Sequence, residues 1–153
     1  MEEKKHSFYG SDSPVTTDHL DYPGIHDIRD LYNALSKLWC RETCAPRMRK
    51  DWSPENRTLG QCSITAFLVQ DIFGGEVYGV DLKDGNYHCY NRVDGYDFDL
   101  TSEQFPPEKL AYKNDPLQSR EVHFAKEEKR LRYEYLKEAL KEYLKTISKE
   151  EKP

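Results

Sequence analysis

The stretch that decides the fold is Gly60-Gln-Cys-Ser-Ile-Thr-Ala-Phe-Leu-Val-Gln-Asp-Ile-Phe-Gly-Gly75 together with the segment that follows it to Leu100. Ile64, Ala66, Phe67, Leu68, Val69 and Ile72 cover more than one helical stripe, and Gly74-Gly75 stops the pattern as C-terminal glycines do. A buried central helix over Gln61 to Phe73 is predicted. Three strand-like runs come next, Val77 to Leu82, Tyr87 to Val93 and Tyr96 to Leu100, separated by Lys83-Asp-Gly-Asn86 and by Asp94-Gly95. Asp-Gly between alternating apolar runs is a strong hairpin signal. A helix packed on a small antiparallel sheet is an α+β arrangement.

Outward from this centre, Ile28, Leu31, Leu35 and Leu38 form one helical stripe, and Cys44 to Arg57 reads as a long irregular loop with two prolines. Residues 1–24 mix charge, Ser, Thr and proline with scattered apolar positions, the composition of an extended or partly disordered arm. Thr101-Ser-Glu-Gln104 has the form of a capping box and predicts a short helix or turn directly after the third strand. From Ser119 to near Ser148 a single amphipathic helix is expected, with Leu131, Tyr135, Leu136, Ala139, Leu140, Tyr143, Leu144 and Ile147 at helical spacing. It would pack on the domain or make a homodimer, and Lys149 to Pro153 would be a solvated tail. The expected organisation is an arm (1–24), one α+β domain (25–148) and a tail (149–153).

The 153 residues suit one core. Charged residues make up 33%, apolar residues 37%, and mean hydropathy is −0.93. The net charge of −5 leaves no basic excess to neutralise phosphates, so nucleic acid is not an expected partner. No apolar run approaches the roughly 20 residues of a membrane span, and Met1 to His6 lacks the apolar run of a signal peptide. A cytoplasmic protein is expected, in which Cys40, Cys44, Cys62 and Cys89 are reduced thiols, metal ligands or a nucleophile.

Cys62 opens the central helix, where free backbone N–H groups and the helix dipole favour a thiolate and can stabilise an oxyanion. A thiolate nucleophile needs a base and a group that orients the base, and His88 and Asp99 suit those roles. If Asp94-Gly95 is a two-residue turn, Val93 faces Tyr96, Arg92 faces Asp97 and Tyr90 faces Asp99, which sets His88, Asp97 and Asp99 on one face of the sheet. A three-residue loop would turn Asp99 to the other face. Cys89, next to His88, should point away from it and pack. Gln61 is a candidate oxyanion donor or helix cap, Asn91 and Arg92 are candidate pocket residues, and Trp52 either lines a cleft or anchors its loop. Cys40-Arg-Glu-Thr-Cys44 offers two corners of a zinc tetrahedron, but Cys62 and the divergent pair His88-Cys89 close it poorly, so no metal and no cofactor are expected.

Trp52-Ser-Pro-Glu-Asn56, Gly60-Gln-Cys-Ser-Ile-Thr-Ala66, Gln70-Asp71, Phe73-Gly-Gly-Glu76, His88, Tyr90-Asn-Arg92 and Asp99-Leu-Thr101 with Gln104-Phe105 together resemble the YunG-like bacterial family. In that family Cys40 and Cys44 match segments that usually carry Ser, which argues against zinc. The order Cys-helix, His-strand, Asp-strand is also similar to the papain-like and transglutaminase-like superfamily. His88-Cys-Tyr-Asn91 matches its His-x-x-Asn segment, and Asp99-Leu-Thr101 matches its Asp-Pro-Thr segment with Leu100 in place of proline. That resemblance implies a papain-like fold and selects Asp99 over Asp97 to orient His88. The function expected is a thiol hydrolase or acyltransferase acting on a peptide, amide or ester through Cys62, His88 and Asp99. The alternative is a catalytically inactive papain-like module that binds a peptide or protein through its tyrosine-rich surface.

Overall fold

A computed structural model describes residues 7–106 and 110–150, with side chains to residue 147. The chain forms α1 (Ile28–Ser36), α2 (Cys62–Phe73), β1 (Glu76–Asp81), β2 (Tyr87–Val93), β3 (Tyr96–Phe98), α3 (Arg120–Phe124) and α4 (Glu127–Glu150). Short 3-10 turns occupy Pro46–Asp51, inside the segment read as irregular, and Ser102–Gln104. The fold is α+β, with a three-stranded antiparallel sheet in the order β1-β2-β3.

Asp94 and Gly95 both have positive φ, 53° and 83°, as a type I′ turn demands. Val93 therefore pairs with Tyr96, Arg92 with Asp97 and Asn91 with Phe98, so β3 enters in the register expected of a two-residue turn. The strand ends at Phe98, two residues short of the expected Leu100, because Asp99 leaves the ladder and bridges Tyr9 instead. The Asp99 N–H donates to the Tyr9 carbonyl at 2.9 Å. Gly10 permits this close approach, since a Cβ there would lie 2.4 Å from the Asp97 carbonyl oxygen. On the opposite side, Gly79 N–H donates to Pro116 O and Gln118 N–H to Val77 O, so both sheet edges are partly covered by chain from outside the sheet.

α2 is the structural centre. Residues Ser63 to Val69 and Ile72 are all buried, because the sheet covers one side of the helix and α4 another. Asn91, buried on β2, donates its Nδ2 to the Ala66 carbonyl at 2.9 Å and ties sheet to helix. α1 starts with a reciprocal capping box between Asp27 and Asp30 and buries Ile28, Leu31, Ala34 and Leu35. Phe8, Val15, Tyr22 and Ile25 join the same core. The described part of the N-terminal arm is thus extended but packed; residues 1–6 of the arm lie outside the described residues.

Four expectations are corrected. Thr101 makes no cap: its side chain turns back to Asp99, and the turn that follows is 3-10. The C-terminal segment is two helices rather than one. α3 ends at Phe124 because its side chains are pinned to α2: Arg120 pairs with Asp71 at 2.8 Å, and Phe124 packs against Phe67 and Tyr133. α4 then buries Arg132, Tyr133, Leu136, Leu140 and Leu144, while Leu131 and Tyr135, expected on the apolar stripe, are exposed. Lys149 and Glu150 belong to α4, and the rest of the expected tail lies outside the described residues. No helix among the described residues is long and apolar enough to cross a membrane.

Candidate functional site

Cys62 is the first residue of α2, half-buried, with its sulfur 3.9 Å from the Tyr87 carbonyl oxygen at the start of β2. Gln61, the residue before it, makes no side-chain cap, so among the described residues no side chain caps the first-turn N–H groups of α2. The Cys62 thiol is held well below its ordinary range. Its largest support is hydrogen bonding from Cys89; burial opposes this, and the His88 hydrogen bond and charge add to it.

His88 Nε2 lies 2.5 Å from Asp99 Oδ2, and both side chains are buried. Burial by itself would lower the imidazole; the Asp99 carboxylate and then Cys62 outweigh it and push His88 up to about 10. Asp99 is held from four directions. Oδ1 accepts from the Thr101 N–H at 3.0 Å and the Thr101 hydroxyl at 3.2 Å, and Oδ2 accepts from the Tyr112 hydroxyl at 2.7 Å as well as from His88. Phe105 presents its ring edge-on to His88 at 4.9 Å. The result is a thiol, an imidazole and a carboxylate in series, with the carboxylate end buried and the sulfur facing a cleft of about 490 Å³ that Cys62 and His88 both line. Such a series can hold a thiolate beside an imidazolium and move one proton between them.

Cys62, His88 and Asp99 are brought together, while Asp97 is not part of the group; it pairs with Arg92 at 2.6 Å. Gln61 is fully buried, donates its Nε2 to the Cys40 carbonyl and does not line the cleft. Asn91 faces α2, and Trp52 donates its indole N–H to Arg57 O with the Arg41 guanidinium over its ring, so it anchors its own loop. Cys40 and Cys44 are free thiols, and among the described residues no three His, Cys, Asp or Glu side chains are grouped as a metal ion requires.

Three neighbours were not legible in the linear pattern. Cys89 is buried in the core and also borders Cys62; contact with the thiolate, then burial, raises its own thiol. Strand alternation separates the His88 and Cys89 side chains, yet both influence the thiol of Cys62 at the start of the covering helix. Tyr112 comes from the loop after Pro106, and only its tertiary partners reveal it. His123 on α3 lines the cleft, hydrogen-bonds Gln118 at 2.8 Å and accepts from Lys129 at 2.9 Å; burial, then the Lys129 charge, lowers it to about 4.

Residues 27–145 match the YunG protein family. The chain belongs to that family. It is 32% identical over 116 residues to an uncharacterized protein YunG of Bacillus subtilis (strain 168), covering 76% of this chain and 93% of that one. No solved structure matches the chain. The shared span starts at the N-cap of α1 and runs through most of α4, so it includes Cys62, His88, Asp99 and the cleft.

Proposed function

We propose that this YunG-family protein is a thiol hydrolase or acyltransferase with Cys62 as nucleophile, His88 as general base and acid, and Asp99 as the group that orients His88. The observation that carries the reading is the buried His88–Asp99 pair set against a half-buried cysteine at the start of a helix. The Cys62 sulfur attacks the carbonyl carbon of an amide or ester, and a carbon–sulfur bond forms. The first-turn N–H groups of α2 stabilise the oxyanion. As the carbon–nitrogen or carbon–oxygen bond breaks, the imidazolium of His88 gives its proton to the leaving group. Water or another acceptor, deprotonated by His88, then takes the acyl group and frees Cys62. The order of these groups along the chain resembles the papain-like superfamily, and the fold is proposed to be a reduced form of that architecture.

The test is the rate of iodoacetamide alkylation of each cysteine against pH, read by peptide mass spectrometry for the wild type and for His88→Ala. Selective labelling of Cys62 well below its ordinary pKa of 9.0, lost in the variant, is the expected result. Labelling of Cys62 that only follows the ordinary thiol range in both proteins would return the chain to the class of non-catalytic peptide- or protein-binding modules.

A further inference from the structure

The charges around the cleft differ from those of the chain as a whole. The protein carries a net −5, yet the cleft that holds Cys62 is lined by Arg47, Lys126, Lys129 and Arg132 against one acid, Glu128. Arg132 and Glu128 satisfy each other: Nε and Nη2 go to the Glu128 carboxylate, and Nη1 to the Thr43 carbonyl. Among the described residues no ion pair engages Arg47, Lys126 or Lys129. Three positive charges therefore border the site, and the negative charge that Lys129 meets inside it is that of the thiol pair Cys62 and Cys89.

Lys129 is the best placed of them. It is half-buried on the first turns of α4, and its ammonium donates to His123 Nδ1 at 2.9 Å. An ammonium has three donors, and His123 takes one of them. Holding a partly desolvated cation with no carboxylate partner at the wall of a site costs folding free energy, which a ligand of opposite charge offsets.

Building on the proposed thiol chemistry, we propose that the substrate carries a carboxylate near its scissile bond, bound by Lys129 with Arg47 and Lys126 at the rim. Arg132, one of the two guanidinium groups that line the cleft, is already committed to Glu128, so the half-buried part of the cleft offers a ligand one ammonium, that of Lys129, which matches the single charge of a carboxylate, while the Arg47 guanidinium and the Lys126 ammonium stay at the exposed rim. Acidic residues, or acyl groups that end in a second carboxylate, are the chemical class the cleft fits.

The test uses two alkylating reagents of one size, iodoacetate and iodoacetamide, on the intact protein. Both react by the same step: the Cys62 thiolate attacks the methylene carbon and iodide leaves. Dividing their rates at Cys62 cancels the thiolate fraction and leaves the preference for the carboxylate. Relative to the neutral reference thiol N-acetylcysteinamide, the iodoacetate-to-iodoacetamide ratio at Cys62 is expected to be about tenfold higher at low salt, in line with opposite charges meeting in a partly desolvated site. It should fall as salt is raised. Lys129→Gln should lower the ratio toward that of the reference thiol. Lys126→Gln, at an exposed position that leaves the core untouched, should lower it in part. A ratio equal to that of the reference thiol, or one that neither variant moves, overturns the carboxylate assignment while leaving Cys62 as nucleophile. Failure of Cys62 to react preferentially with either reagent overturns the thiol reading and this inference together.

Discussion

His88 Nε2 on β2 and Asp99 Oδ2, one residue past the end of β3, sit 2.5 Å apart, so the register of the hairpin and the bridge from Asp99 to Tyr9 together decide whether the imidazole is oriented. Asp99 takes Nε2, so Nδ1 is the ring nitrogen that the carboxylate leaves free. Removing the carboxylate should lower His88, deprive Cys62 of an imidazolium and raise the thiol in turn. Asp99→Asn is expected to shift the onset of Cys62 alkylation upward by roughly 1–3 pH units. Asp97→Asn, which breaks only the surface pair with Arg92, should leave the onset where it is. Equal shifts in both variants would mean that the effect is loss of the hairpin and not loss of the His88 partner.

Much of this arrangement was legible because it depends on short-range chemistry. Asp94-Gly95 has the two residues that tolerate positive φ in succession, and that turn sets the pairs Val93–Tyr96, Arg92–Asp97 and Asn91–Phe98; the expected pair of Tyr90 with Asp99 does not form, because Asp99 bridges Tyr9, a contact distant in the chain. The apolar run of α2 between Cys62 and Gly74 was equally plain. What escaped depends on contacts distant in the chain. Phe8, Val15 and Tyr22 lie too irregularly to signal an element, yet they are buried because the core takes them one at a time. No Gly or Pro marks the break between α3 and α4; the Arg120 ion pair and Phe124 packing make it. Leu131 and Tyr135 fit a helical stripe in the sequence, but the buried face is centred on Tyr133, Leu136, Leu140 and Leu144.

Cys89 borders Cys62 and lies 4.0 Å from His123 Nε2, and substitution can separate a donor role toward Cys62 from packing. Cys89→Ala removes the donor that most lowers Cys62, so the alkylation onset should rise by about 1 pH unit or more. Cys89→Ser keeps an O–H donor at the same position and should bring the onset back toward the wild-type value, even where it costs stability by burying a hydroxyl. If serine rescues the onset no better than alanine, Cys89 is a packing residue only.

Tyr112 reaches Asp99 Oδ2 at 2.7 Å, and Tyr9 stacks on its ring at 3.9 Å between centroids. Burial, followed by the neighbouring carboxylate, raises the phenol, so it stays protonated and can only donate. Tyr112→Phe deletes that donor and is expected to cost about 1 kcal/mol of stability by urea unfolding. His88 still engages Oδ2 in the variant, so the onset of Cys62 alkylation should rise far less than in Asp99→Asn. A rise as large as in Asp99→Asn would make Tyr112 indispensable to the position of the carboxylate.

The dependence of stability on pH tests the ion pair without any substrate. His88 rises from an ordinary 6.5 to about 10, so its stabilising contribution is complete below pH 6.5 and is lost as pH climbs through about 10. Cys62 is lowered from 9.0, so its contribution is complete above pH 9.0 and is lost as pH falls through its depressed value. Between 6.5 and 9.0 the folded pair holds one proton, on the imidazole, and the unfolded pair also holds one, on the thiol. Equal proton counts make the slope of stability with pH zero for this pair. Urea midpoints should therefore show no slope from the pair across that window and a decline beyond each side. Cys62→Ser removes the thiol from the count, so the folded state then binds the extra proton on His88 while Asp99 still holds it there. Relative to the wild type, stability in Cys62→Ser should slope downward as pH rises above 6.5. Parallel curves for the two proteins would mean that Cys62 and His88 do not share a proton in the folded chain.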